Sequence, residues 1–187
     1  MLNSYLIFDN SGSMARYDKM AHTIATGLLS AASPETPFGF ISFNDRVYLQ
    51  NYYDSHPSAL LAKLNALGLP RGSTELADAL MVALCVDNVR PKNLYIISDN
   101  GENASEMPLD AVKSMLKNYG VELFWIKPPV TPGTPHVLPF VNDPPGRVKL
   151  MEALGAKVVD LSKITDEPKF LAAVTRLREG RIRELVG

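Results

Sequence analysis

What this sequence lacks narrows its class first. It holds a single cysteine, Cys85, so no internal disulfide can form, which fits a reducing compartment. Cys85 falls in an apolar helical stretch and reads as a small buried hydrophobe rather than a reactive thiol. No apolar run approaches the ~20 residues of a membrane span. No charged region with a long apolar core precedes the first strand-like run, so no signal-peptide pattern is present, and the expectation is a cytoplasmic protein. Neither charge is in excess: 19 Lys and Arg stand against 20 Asp and Glu. A net charge of −1 argues against a dedicated polyanion-binding role. Neither a Walker loop nor a GxGxxG pattern occurs, which removes the usual nucleotide readings.

What is present is a full complement of core-forming residues, 46% hydrophobic over 187 positions, and the economical reading is one domain spanning 1–187. The informative stretch is IFDNSGSM at 7–14. An apolar run, Tyr5-Leu6-Ile7-Phe8, breaks abruptly into Asp, Ser and Gly, as a buried parallel strand does at its end. Asp9, Ser11 and Ser13 occupy alternate positions, so the loop can turn three oxygen-bearing side chains towards one point. Gly12 is expected to let the backbone bend there without a Cβ clash. All-oxygen donors suit a hard divalent cation, Mg²⁺ or Mn²⁺, better than Zn²⁺. Thr74 and Asp99, far along the chain, are placed to complete the cluster.

Strand-like runs at 4–8, 38–43, 47–53, 93–98, 121–126 and 156–161 alternate with helical spacing at 15–31, 58–67, 74–89, 105–119, 147–154 and 165–185. Such alternation predicts right-handed crossovers and a doubly wound α/β sheet. The link from the second run to the third is too short for a crossover, so those two should pair antiparallel. Ser105 is expected to cap its helix and Gly120 to end it.

Asp9-x-Ser11-x-Ser13, Gly72-Ser73-Thr74 and the apolar strand ending in Asp99 together resemble the metal-ion-dependent adhesion site (MIDAS) of von Willebrand factor A (vWA) domains. The likeness runs over nearly the whole chain. It implies a mainly parallel, Rossmann-like six-stranded sheet in the order 3-2-1-4-5-6, with one antiparallel edge strand and helices on both faces. Asp9 and Asp99 then flank the switch point, where ligands bind such sheets. The resemblance also implies a metal set of Asp9, Ser11, Ser13, Thr74 and Asp99, with the two Ser hydroxyls as direct ligands. The two Asp act largely through waters. A first shell dominated by neutral hydroxyls leaves Mg²⁺ (or Mn²⁺) under-neutralised and ready to accept a partner's Asp or Glu carboxylate. The implied function is a non-enzymatic, metal-dependent protein-interaction module, a monomer by itself. Intracellular relatives serve multi-subunit assemblies, with AAA+ ATPases or in magnesium chelatase. A chain of this length leaves no room for an effector domain, so recruitment in trans is expected.

Other readings compete at each position. Ser11 and Ser13 could cap the first helix, and Thr74 the third. Asp45 could serve the outer shell or only a turn, and Glu102 could point into the same crevice. Lys127–Gly146 holds half of the prolines, which prevents a regular helix. This insertion leaves the rim that carries the metal set, so it forms either a wall of the partner site, with His136, Leu138 and Phe140 as contacts, or a loop packed over the sheet end. Arg176, Arg178, Arg181 and Arg183 form a basic run that reads as a solvated helix face. Its minority reading is nucleic-acid binding, as in the RNA-associated vWA modules of the Ro family. A second class is a phosphotransfer enzyme of haloacid-dehalogenase type with Asp9 as nucleophile. That chemistry needs a general acid two residues on, where Ser11 stands.

Overall fold

The computed structural model describes residues 3–99, 106–134 and 150–187. Six strands form one sheet: β1 (Ser4–Asp9), β2 (Phe38–Phe43), β3 (Val47–Asp54), β4 (Asn93–Ile97), β5 (Glu122–Lys127) and β6 (Lys157–Asp160). Their order is β3-β2-β1-β4-β5-β6, as expected. Every neighbouring pair is parallel except β2 with β3, which run antiparallel through a short turn.

The strands read as continuous apolar runs because both faces of the sheet are covered. Alternation then divides each strand between two cores. Leu6, Phe8, Phe40, Tyr95, Ile97, Phe124 and Ile126 meet helices α1 (Asp18–Leu29), α2 (Pro57–Asn65) and α6 (Glu167–Arg178). Tyr5, Ile7, Ile41, Leu94, Ile96, Leu123 and Trp125 meet α3 (Leu76–Cys85), α4 (Leu109–Tyr119) and the short α5 (Leu150–Ala153). Close approach is built into the central strands. A Cβ added at Gly39 would lie 2.0 Å from the Tyr5 ring, which is fully buried.

Helix ends depart from expectation for local reasons. The first helical stretch opens as a 3-10 turn, Gly12–Arg16, and becomes α-helical only at Asp18. Helix α3 starts at Leu76 because Glu75, at φ −109° and ψ 60°, is not helical; its N–H donates to Asn44 O. Helix α4 starts at Leu109, since Pro108 is extended (ψ 132°). The expected cap Ser105 lies outside the described residues, as do Asn100–Ala104 and 135–149. Gly120 ends α4 in the left-handed region at φ +61°. The closing helix is shorter than expected: it stops at Arg178, ahead of Gly180 at φ +71°, and a 3-10 turn (Ile182–Leu185) follows. Cys85 corrects an expectation outright. It is the last residue of α3 and is exposed, because Ala83 and Leu84 take the buried positions of that final turn.

Candidate functional site

Strand β1 delivers Asp9 to the carboxyl edge of the sheet, beside β4, where the direction of winding reverses. The Asp9 carboxylate is fully buried. Its Oδ1 accepts the Ser11 backbone N–H at 2.9 Å, closing an Asx turn, and its Oδ2 accepts the Ser98 hydroxyl at 2.6 Å. That turn brings the Ser11 and Ser13 hydroxyls within 3.2 Å of each other. In an octahedral shell with metal–oxygen distances of ~2.0–2.1 Å, adjacent oxygens stand about 2.9 Å apart. Two neighbouring coordination positions therefore fit the pair with little adjustment. Ser11 does sit at the N-cap position of the 3-10 turn, but its side chain makes no capping bond.

A second loop is stitched to the first through the backbone. The Gly12 N–H donates to Gly72 O at 3.0 Å, and the Arg71 N–H donates to Asn10 O at 2.9 Å. Gly12 is not in the left-handed region; close approach favours glycine there, since a Cβ would crowd Gly72 O at 3.3 Å. Gly72 is left-handed, at φ +78°, with the Asp45 side chain against its backbone. Asp45 is otherwise exposed, so it borders the second loop without entering the buried cluster. Thr74 is buried and stands one residue ahead of Glu75, the N-cap position of α3, rather than at the cap itself.

Asp99 follows β4 and is half-buried. Its charge reaches Asp9. Burial first, and then the neighbouring Asp99 carboxylate, push the Asp9 pKa up to about 7, against the pull of the Ser11 and Ser98 hydrogen bonds. A buried carboxyl that keeps its proton to that point, next to a second carboxylate and two converging hydroxyls, is a donor set short of positive charge. Among the described residues, no group of three or more His, Cys, Asp or Glu side chains is placed to hold a metal. Hydroxyls and carboxylates are the donor types that hard divalent cations take.

Three supporting residues were not singled out from the sequence for these roles. Ser98 is fully buried, and its carbonyl accepts the Trp125 indole N–H at 3.0 Å while its hydroxyl holds Asp9. Asn10 ties the first loop to the second through Nδ2, which donates to Gly68 O. Asp78, in the first turn of α3, accepts the backbone N–H groups of Glu106 and Met107 at 3.0 and 2.9 Å. No pattern marks these residues in the sequence, because each acts through a partner distant along the chain.

The remaining candidates separate. Glu102, His136, Leu138 and Phe140 lie outside the described residues. The first part of the insertion does meet the site's own loop: the Thr131 N–H donates to Arg16 O at 2.8 Å, at the end of the 3-10 turn that carries Ser13. In the basic run, Arg181 is held by Glu179 and Glu184, and Arg183 by Glu122, so half of that charge is engaged internally.

A mainly parallel six-stranded sheet with one antiparallel edge strand and helices on both faces is the Rossmann-like vWA fold. No family model and no curated protein sequence matches the chain. Solved structures do. BatB from Bacteroides thetaiotaomicron is similar at TM-score 0.68 and 13% identity, covering 98% of this chain and 100% of that one. The VWA domain of SpRpn10 is similar at TM-score 0.59 and 12% identity, covering 94% and 92%. Proximal thread matrix protein 1 from the mussel byssus, solved with a zinc-occupied MIDAS motif, gives TM-score 0.65 and 18% identity. There the match covers 94% of this chain but 45% of the mussel chain, so this sequence spans under half of that protein. At these identities the likeness shows the fold alone.

Proposed function

We propose that this chain is a non-enzymatic protein-interaction module that docks a partner's Asp or Glu carboxylate on a divalent cation, Mg²⁺ or Mn²⁺. Ser11 and Ser13 hold that cation directly, and Asp9, Thr74 and Asp99 complete the site or orient its waters. The observation that carries the reading is the 3.2 Å pair of Ser hydroxyls beside the fully buried Asp9 carboxyl. The bonding of that loop to the one preceding Thr74 supports it. A cation bound there supplies the positive charge that offsets the carboxylate pair, and its neutral hydroxyl ligands leave it charge enough to attract an outside carboxylate. Mussel and Plasmodium vivax structures of the same fold, solved with zinc and with manganese, are consistent with a divalent ion.

The phosphotransfer reading fares worse. The general acid that it needs two residues after Asp9 is absent, since Ser11 stands there, and Asp9 itself is fully buried. The test is Mn²⁺ titration followed by electron paramagnetic resonance, together with affinity capture from native extract. Ser11→Ala should weaken Mn²⁺ binding and abolish capture while the circular dichroism spectrum stays unchanged, and EDTA should abolish capture by the parent protein. Capture that survives both treatments rules the reading out.

A further inference from the structure

The loop that carries Gly72 has a second side. It walls a cleft of about 480 Å³ between itself and the β2–β3 hairpin, immediately beside the cation loop. Asn10, Ser42 and Gln50 supply polar lining, and the Gln50 amide donates to the Ser42 hydroxyl at 2.8 Å. Asn10 belongs to both places: its backbone carbonyl holds the Arg71 N–H, and its Oδ1 is buried without a partner. Such an acceptor is costly to leave unmet and favours a ligand that brings an N–H. Two large apolar side chains line the same cleft in the open, Leu69 at 81% exposure and Tyr48 at 41%.

Charge decides the occupant. Among the described residues that line the cleft, Arg71 alone is charged. It is exposed, and among the described residues it makes no ion pair. Asp45 sits against Gly72 but does not line the cleft. A guanidinium set next to a site that attracts a carboxylate favours a second carboxylate, in a geometry that arginine recognises well. Arg71 and the cation loop are neighbours, the Arg71 N–H donating to Asn10 O at 2.9 Å. An extended segment advances about 3.3 Å per residue, so acidic side chains a few residues apart suit a ligand that touches both.

We propose that this cleft is a subsite continuous with the cation site and takes an extended acidic segment of a partner protein. One carboxylate meets the cation, a second meets Arg71, and an apolar side chain between them rests on Leu69 and Tyr48. This rests on the cation-docking reading above and adds the chemistry of the partner to it.

The probes are fluorescein-labelled peptides with one Glu, a Leu, and a second Glu placed two, three or four residues after the first. Each has a control in which the second Glu is Gln. Fluorescence polarisation is read with the full chain and saturating Mn²⁺. At least one two-Glu peptide should bind roughly fivefold tighter than its Gln control, the upper range for an exposed ion pair. That preference should shrink with added salt. Arg71→Gln should erase the preference and leave the control peptide's affinity unchanged, whereas Leu69→Ser should weaken both peptides. Equal affinity for every pair, or a preference that persists in Arg71→Gln, overturns the subsite. So does absence of peptide binding while paramagnetic resonance shows Mn²⁺ bound, an outcome that leaves the cation site standing. If Mn²⁺ does not bind but the Arg71-dependent preference remains in EDTA, the docking reading fails and the cleft survives.

Discussion

Ser98 shows how a residue outside the recognisable pattern can govern one inside it. Its hydroxyl makes a 2.6 Å bond to a fully buried carboxyl. Ser98→Ala should cost about 1–3 kcal/mol, the range for leaving a buried group unsatisfied, measurable by urea unfolding of the metal-free protein. Mn²⁺ affinity should fall as well, because Asp9 loses one of its two anchors. His22 supplies a separate test. It packs edge-on against Phe8, and burial holds its pKa below the ordinary value despite the neighbouring Asp18. The unfolded chain therefore takes up a proton near pH 6.5 that the folded protein resists, so stability should fall as pH drops through and below that point. Thermal unfolding of His22→Gln between pH 5 and 8 should lose that part of the slope. Asp9, Ser11 and Ser13 were legible in the sequence because alternation and a strand end mark them. Ser98 was not, since a hydroxyl at the end of an apolar strand looks the same whether it faces solvent or a buried carboxyl. Cys85 was misread because helical spacing near a helix end does not fix which residue of the last turn faces the sheet.

At the scale of elements, the two loops at the sheet edge behave as one unit joined by two backbone hydrogen bonds. Gly72 is the residue on which that junction depends. Alanine there meets both an unfavourable φ of +78° and the Asp45 side chain at 3.1 Å. Gly72→Ala should destabilise by about 1–3 kcal/mol, the cost of a residue held in a sparsely populated backbone region. It should also weaken Mn²⁺ binding, whereas Gly120→Ala, in the left-handed region but with open space around it, should lower stability alone. Comparing chemical denaturation with metal titration for the two variants checks the distinction. Strand positions were readable almost to the residue, because strands covered on both faces carry unbroken apolar runs. Helix starts were not. Helix α3 begins after Glu75, whose backbone is non-helical and whose N–H meets Asn44 O, a tertiary contact that no local pattern reports. The early end of α6 did carry a signal in Gly180, which the apolar spacing beyond it overrode.

For the molecule as a whole, alternation pointed to a doubly wound sheet, and the strand order came from the vWA resemblance that the three short motifs carry, even though no family model matches. The fold tolerates that drift because its cores ask for apolar residues at alternate strand positions, not for particular ones. Cation binding should register globally. An ion that binds only the folded state, present at a hundredfold excess over its dissociation constant, stabilises by about 2.7 kcal/mol. Calorimetry with and without Mg²⁺ should show a raised melting temperature for the parent protein and none for Ser11→Ala.

The sequence contains one tryptophan, and its indole reaches the buried carboxyl through a single intervening serine. The protein thus comes with an optical gauge already installed. On the docking reading proposed above, a rearrangement at the carboxyl on cation binding should reach the only strong emitter in the chain. A shift in intrinsic fluorescence, with no label attached, would follow occupancy in real time.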